Sequence, residues 1–213
     1  MVIINNNETD IHGYVGYHKG INRIVVAWRG TIDARNWIED FGFKKIPYIR
    51  CRSCEVHAGF FASWESVANQ TDKAVNGLLT KYPSAQIAVT GQSLGGALST
   101  FAAIELQLKF NKVAELYNYG SPRVGNEHTA AFINLKLPTR FRVVHNRDIV
   151  PHVPFEAMGF THVSYEVLYD EEMKSYKVCN ESGEDPSCSN RFDPDYSFPD
   201  HDIYWIAMDD SVC

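Results

Sequence analysis

The sequence contains neither a long apolar run nor a concentrated block of basic residues. Its 213 residues include 26 acidic and 20 basic side chains, mixed along the chain, for a formal net charge of −6. A membrane span requires about 18 consecutive apolar residues, and a surface that binds nucleic acid requires clustered lysine and arginine. We therefore predict no transmembrane segment and no nucleic-acid partner.

Internal repeats, low-complexity tracts and a flexible linker are also missing. The nine prolines and 14 glycines are scattered, and this length suits one hydrophobic core. We expect a single domain over residues 1–213. Met1 leads directly into the mostly polar residues 4–10, so no signal peptide is visible, because such a peptide would place a basic segment before an apolar one.

Cysteine is scarce, but its spacing is informative. The five cysteines are Cys51, Cys54, Cys179, Cys188 and Cys213. The first four form two local pairs, which favours disulfides and an oxidising compartment, while a zinc site and free thiols are the alternatives. The leftover Cys213 suggests that the sequence begins inside a longer protein. Glycosylation acceptor triplets at Asn7, Asn69 and Asn180 also suit a secreted protein.

Short apolar runs alternate with amphipathic segments through most of the chain. Runs typical of buried strands occupy residues 24–28, 87–89, 116–119, 141–144 and 163–168. Apolar residues at helical spacing occupy residues 59–82, 94–110 and about 126–134. This alternation predicts the α/β class, with a mostly parallel central sheet and helices on both faces. Ligands of such sheets gather beyond the carboxyl ends of the strands, so each candidate site residue should follow a strand.

The peptide Gly91-Gln92-Ser93-Leu94-Gly95 matches the G-x-S-x-G pattern of a nucleophile elbow. It lies between a predicted buried strand and a predicted helix, as an elbow requires. The helix N-terminus behind it would favour the negative charge that develops during attack. The alternative is an ordinary glycine-rich turn in which the serine caps the helix. We predict Ser93 as the nucleophile.

A serine hydroxyl needs a neighbouring imidazole to accept its proton. In α/β-hydrolases the acid and the histidine follow the serine in that order along the chain. Asp148 is the best acid because it follows the predicted strand at residues 141–144. His201 lies just before an apolar run and is the leading candidate for the base. His162 is the reserve candidate. His152 is too close to Asp148 in sequence to bridge Asp148 to Ser93 comfortably.

Negative charge on the substrate oxygen needs preorganised N–H donors. The backbone N–H of Leu94, directly after the nucleophile, should supply one donor. Thr31 follows the first predicted strand within Arg29-Gly30-Thr31 and is the natural second donor. A helix cap is the alternative role for Thr31, and the two roles are compatible.

The segment at residues 32–41 mixes apolar and charged side chains. It is either a surface helix with an ordinary buried face or a lid that opens and presents apolar residues to lipid. The sequence pattern by itself leaves both readings open.

Six stretches together resemble one known family. They are Arg29-Gly30-Thr31, Arg35-Asn36-Trp37-Ile38, Val56-His57-Ala58-Gly59-Phe60, Val89 to Ala97, Gly120-Ser121-Pro122-Arg123-Val124-Gly125-Asn126, and Asn146 to Pro154. In this order they resemble the fungal-type class 3 lipases, a family of triacylglycerol lipases and feruloyl esterases on one α/β-hydrolase core. The resemblance spans about residues 10–213 and is highly specific as a set.

This resemblance implies a Ser93, Asp148 and His201 triad, with Thr31 and Leu94 as oxyanion donors. It also implies a lid, formed by Ala34, Arg35, Asn36, Trp37 and Ile38. The pairs Cys51 with Cys54 and Cys179 with Cys188 have counterparts in the family. A partner for Cys213 would lie in an N-terminal helix and first strands that this sequence lacks. Gln92 departs from the family, whose members usually carry histidine before the nucleophile, and we expect altered hydrogen bonding there without loss of activity.

The sequence therefore predicts a serine carboxylic-ester hydrolase that works through an acyl-enzyme and needs no metal or cofactor. Trp37 and Ile38 resemble a lipase lid. The favoured prediction is therefore a lipase that acts on acylglycerols at a lipid–water interface. A feruloyl esterase and a phospholipase A1 on the same scaffold are alternatives. A non-catalytic lipase-like scaffold protein is the alternative from another class.

Overall fold

The computed structural model describes residues 1–31 and 42–207 and centres on a mixed β-sheet. Its strands are β1 (Val2–Asn6), β2 (Ile11–His18), β3 (Arg23–Trp28), β4 (Lys45–Pro47), β5 (Glu55–His57), β6 (Gln86–Gln92), β7 (Val113–Tyr119), β8 (Arg140–His145), β9 (Glu166–Tyr169), β10 (Tyr176–Val178), β11 (Ile203–Tyr204) and β12 (Ile206–Ala207). The main sheet has eight strands in the order β1-β2-β3-β6-β7-β8-β9-β10. Strands β3, β6, β7, β8 and β9 are parallel, and the strands at both edges are antiparallel. The predicted α/β class and its mostly parallel central sheet are confirmed.

Three α-helices connect the parallel strands in the described part of the chain: α1 (Ala58–Lys81), α2 (Leu94–Phe110) and α3 (Glu127–Lys136). The side chain of Asn126 caps α3 by accepting the N–H of Thr129 at 3.0 Å. Helix α2 ends at Asn111 in the left-handed conformation, where asparagine is favoured among non-glycine residues. Short 3-10 helices at Val150–His152 and Pro199–Asp202 flank the region where α/β sheets bind ligands.

These helices pack against one face of the sheet, where Ile24, Val26, Ile87 and Val89 join Phe101 of α2 in the main core. The strand order explains this, since β3, β6, β7 and β8 follow one another in one direction and right-handed crossovers then place the three helices on the same side. Helices on both faces, which the alternation suggested, are therefore not seen among residues 1–31 and 42–207.

The other face of the sheet carries partly exposed aromatic side chains. Tyr14 and Tyr117 are both exposed by more than a third, and the rings of Tyr117 and Phe141 stack with centroids 5.3 Å apart. No helix of the described residues is long and apolar enough to cross a membrane.

Both predicted disulfides are present. The Cys51–Cys54 bond closes the turn between β4 and β5, and the Cys179–Cys188 bond closes the loop after β10. The second bond lies in a small core with Val144 of β8 and Leu168 of β9. It therefore braces the strand that leads to Asp148.

Candidate active site

Ser93 occupies the sharp turn between β6 and α2. Its backbone angles, φ 57° and ψ −127°, lie in the positive-φ region that residues other than glycine rarely adopt. A β-carbon on Gly91 would overlap the backbone of Gly95, and one on Gly95 would overlap the backbone of Trp28. Only glycine fits at these two positions, which explains the G-x-S-x-G spacing.

The hydroxyl of Ser93 is buried and has no hydrogen-bond partner among the described residues. Its backbone N–H donates to the carbonyl oxygen of Tyr119 at 2.9 Å, which ties the elbow to the end of β7. The first turn of α2 leaves N–H groups without intrahelical acceptors and carries the positive end of the helix dipole. The elbow thus presents a hydroxyl beside a region that favours negative charge.

Asp148 and His201 form a buried pair although they lie 53 residues apart. Nδ1 of His201 is 2.9 Å from Oδ2 and 3.0 Å from Oδ1 of Asp148. Because an ionised carboxylate only accepts hydrogen bonds, Nδ1 carries the hydrogen and Nε2 keeps the lone pair of a base. Asp148 also accepts the Val150 N–H at 2.9 Å and the Tyr204 hydroxyl at 2.6 Å. These contacts fix the imidazole in one orientation and one tautomer.

Gly120, at the end of β7, makes room for this pair. A β-carbon there would lie 2.7 Å from Oδ2 of Asp148 and 2.9 Å from Nδ1 of His201. Its φ of +55° is also one that side-chain-bearing residues rarely adopt. The end of β7 thus contacts both the Asp148–His201 pair and the elbow at Ser93.

Asp200 anchors the turn that presents His201. Its Oδ2 accepts the Asn146 side-chain amide at 2.9 Å and the Arg147 N–H at 3.0 Å, and its Oδ1 accepts the Ser197 hydroxyl at 2.8 Å. Asn146 and Arg147 belong to the loop after β8 that also carries Asp148. One carboxylate therefore joins the segment that carries Asp148 to the segment that carries His201.

Gln92, the residue before Ser93, also contacts His201. Its amide nitrogen lies 3.2 Å from Nε2 of His201 and 3.2 Å from the backbone carbonyl oxygen of the same residue. A β-carbon on Gly30 would lie 2.5 Å from the Gln92 amide oxygen and 3.0 Å from Cβ of Ser93. The loop that precedes Thr31 therefore lies directly against the elbow.

Known proteins resemble this chain in sequence and in structure. The sequence model of the family "Lipase (class 3)" matches residues 25–158. The chain belongs to the class 3 lipase family. A secreted mono- and diacylglycerol lipase of Fusarium solani is 40% identical over 163 residues, which are 76% of this chain and 49% of that protein. The chain thus spans about half the length of this curated relative.

Two solved structures are similar in fold to this member of the class 3 lipase family. Lipase II from Rhizopus niveus has a TM-score of 0.93 at 33% identity, over 97% of this chain and 80% of that one. A triacylglycerol lipase, described as having a serine protease triad at its catalytic centre, has a TM-score of 0.89 at 33% identity, over 96% and 80% of the two chains. The likeness to both structures therefore covers nearly the whole chain.

The other two candidate histidines of this family member have different partners. Nε2 of His162 is 2.6 Å from the carbonyl oxygen of Pro151, and burial lowers the pKa of His162 well below its usual value. The His152 ring stacks on Tyr196 with centroids 4.0 Å apart. Burial, followed by the positive charge of Arg123, lowers the pKa of His152 to about 4. Neither histidine makes the contact to Asp148 that His201 makes.

One group of potential metal ligands lies among the described residues, formed by Glu166, Cys179 and Cys188. The two sulfurs are bonded to each other, so neither is a thiolate ligand. Glu166 accepts the Ser189 N–H at 2.9 Å and pairs with Arg142 at 3.2 Å. The group is structural and does not suit a metal.

The sequence analysis assigned no role to three residues of the site: Gly120, Asp200 and Tyr204. Gly120 begins the stretch Gly120-Ser121-Pro122 after a predicted strand, and that position was a usable signal. Asp200 and Tyr204 flank His201 in sequence without any distinguishing pattern. The predicted lid, from Ala34 to Ile38, and Cys213 lie outside the described residues.

Proposed function

We propose that this chain is a serine carboxylic-ester hydrolase that acts on acylglycerols, with Ser93 as nucleophile, His201 as base and Asp148 as the acid that orients it. The observation that carries the proposal is the buried 2.9 Å contact between His201 Nδ1 and Asp148, beside the strand end to which the Ser93 backbone is bonded. The family relationship supports the same three residues.

In the acylation step, Ser93 Oγ attacks the ester carbonyl while Nε2 of His201 takes the hydroxyl proton. Asp148 accepts the Nδ1 hydrogen bond throughout and stabilises the imidazolium that forms. The N–H groups of Leu94 and Thr31 stabilise the oxyanion. His201 then returns the proton to the departing alcohol, which leaves an acyl-Ser93.

In the deacylation step, His201 takes a proton from water, and the resulting hydroxide attacks the acyl carbonyl. The proton then passes to Ser93 Oγ as the acid leaves, which restores the free enzyme. Serine and cysteine proteases use the same roles on unrelated folds.

The substrate class rests on the relatives and on Trp37 and Ile38. The relatives named above are described as mono-, di- and triacylglycerol lipases, which favours acylglycerols over feruloyl or phospholipid esters. The two disulfides and the secreted Fusarium relative support an extracellular location.

The test is the Ser93→Ala variant, assayed on short and long glycerides, a phospholipid and methyl ferulate. We expect glyceride hydrolysis to fall by at least about 10³-fold, and labelling by a serine-reactive phosphonate to disappear from the peptide that contains residue 93. The matched control is Ser99→Ala, because Ser99 is a buried serine of the same helix whose hydroxyl bonds to the Gly96 carbonyl at 2.7 Å. Full activity in Ser93→Ala would overturn the assignment.

A further inference from the structure

The acceptor nitrogen of His201 is already engaged in the free protein. The hydrogen on Nδ1 faces Asp148, so Nε2 offers a lone pair. The Gln92 amide nitrogen lies 3.2 Å from that lone pair, whereas the Ser93 hydroxyl has no hydrogen-bond partner in the described part of the chain. The base therefore contacts Gln92 rather than the nucleophile.

The orientation of the Gln92 amide follows from its surroundings. Its nitrogen also lies 3.2 Å from the carbonyl oxygen of His201, which can only accept a hydrogen bond. Its oxygen faces the Cα of Gly30. Both hydrogens of the amide are thus directed at His201, one to the backbone and one to the base.

We propose that Gln92 is a positioning residue that holds His201 in a resting state, with Nε2 bonded to the amide, and that His201 exchanges this bond for the Ser93 hydroxyl when substrate is attacked. The proposal rests on the triad assigned above. Gln92 makes no hydrogen bond to the Ser93 hydroxyl within the described part of the chain, and it acts through His201.

The exchange makes Gln92 a competitor of Ser93. Both are donors to the same lone pair, and Nε2 must be released before it takes the proton of Ser93. After that transfer Nε2 carries a hydrogen and meets the amide hydrogen of Gln92, which is unfavourable unless the amide moves. Gln92 therefore stabilises the neutral resting base more than it stabilises the imidazolium of the reaction.

Removal of Gln92 would also remove its bond to the His201 backbone, which by itself would loosen the turn. That turn keeps other anchors, because Asp200 accepts hydrogen bonds from Asn146, Arg147 and Ser197. Three remaining bonds outweigh the one that is lost. The release of Nε2 should therefore decide whether the reaction rate rises or falls when Gln92 is removed.

The experiment compares Gln92→Leu and Gln92→Glu in the full chain. Leucine has a similar size and no donor, so we expect phosphonylation of Ser93 and kcat on a soluble p-nitrophenyl ester to rise about two- to tenfold with KM unchanged, the ratio for one neutral hydrogen bond. Glutamate only accepts, so its carboxylate favours a hydrogen on Nε2 of His201 at rest and removes the lone pair that must take the Ser93 proton. We therefore expect the same rates to fall at least about tenfold at pH 7. Gln86→Leu, an exposed glutamine at the start of β6, is the control and should change neither rate.

Opposite signs for these two variants support the proposal, since a packing role for Gln92 would slow both. A Gln92→Leu rate equal to or below the wild-type rate overturns it. Gln92→Met serves as the second donor-free variant if leucine prevents folding.

Nitrogen NMR of histidine-labelled protein gives an independent readout. The Nε2 resonance of His201 should be the same in wild type and Ser93→Ala, because Ser93 does not hold that nitrogen at rest, and it should move in Ser93→Ala/Gln92→Leu. A shift in Ser93→Ala alone would contradict the resting contact. Activity retained by Ser93→Ala would instead refute the triad, and the two failures are therefore distinguishable.

Discussion

The Cα atom of Gly120 lies against the imidazole of His201, and a β-carbon at position 120 would be 2.9 Å from both Nδ1 and Cε1 of that ring. The same β-carbon would be 2.7 Å from the Asp148 carboxylate. The end of β7 is therefore the surface on which acid and base meet. Their alignment depends on a residue that has no side chain.

Substitution of Gly120 by alanine should separate the pair. The methyl group must displace His201 or Asp148, and the φ of +55° adds backbone strain. Displacement of a catalytic group by about 1 Å costs on the order of 10²-fold in rate, so kcat should fall by about that factor. Steady-state kinetics on a soluble ester, with thermal unfolding to confirm the fold, measure this.

Gly77→Ala is the matched control for this substitution. Gly77 lies within α1, and a β-carbon there meets no atom within 4 Å. Alanine should raise stability by about 0.5–1 kcal/mol through helix propensity and leave kcat unchanged. Wild-type activity in Gly120→Ala would show that the pair tolerates a side chain at that position.

Asp200→Ala should disturb catalysis by loosening the turn at Pro199–Asp202. The substitution removes the acceptors of Asn146, Arg147 and Ser197, so His201 loses the tie to the loop that carries Asp148. We expect kcat to fall about 10- to 100-fold with little change in KM. Asp202→Ala, an exposed acid in the same turn, should behave like wild type, and equal effects of the two variants would rule out a specific anchoring role.

Tyr204 is a second side chain that contacts the Asp148 carboxylate, beside His201. Its hydroxyl donates to Oδ2 of Asp148 at 2.6 Å and accepts the His145 N–H at 3.3 Å. Burial, followed by the negative charge of Asp148, raises the Tyr204 pKa well above its usual value of 10.0, so the phenol keeps its hydrogen through neutral and moderately alkaline pH. Tyr204→Phe should reduce kcat/KM about tenfold.

The ratio of wild-type to Tyr204→Phe activity should stay constant between about pH 7 and pH 10, because the donor does not ionise in that range. Parallel pH–rate profiles of the two proteins test this expectation. A ratio that falls towards one as the pH rises would mean that Tyr204 loses its proton earlier than its buried position implies.

Local sequence signals singled out Ser93 and Asp148 as candidates because each follows a strand whose apolar run is visible in the sequence. They could not locate Tyr204 or Asp200, whose roles arise from contacts with residues more than 50 positions away. Strand β1 was missed because only Ile4 is buried within it, so no alternation marks it. The placement of the helices on one face depends on strand order, which the alternation of elements does not encode.

Stability should depend on pH through His152. Its pKa is lowered from 6.5 to about 4, chiefly by burial and then by Arg123. The unfolded chain therefore binds a proton near pH 6.5 that the folded protein binds only near pH 4, and the free energy of unfolding falls as the pH decreases through this window.

His152→Phe keeps a ring that stacks on Tyr196, and it should reduce the stability difference between pH 7 and pH 5 by about 2 kcal/mol. Urea unfolding at both pH values measures this difference, with the exposed His128→Gln as control. Equal pH dependence in wild type and His152→Phe would show that this histidine takes up its proton without the cost that its burial predicts.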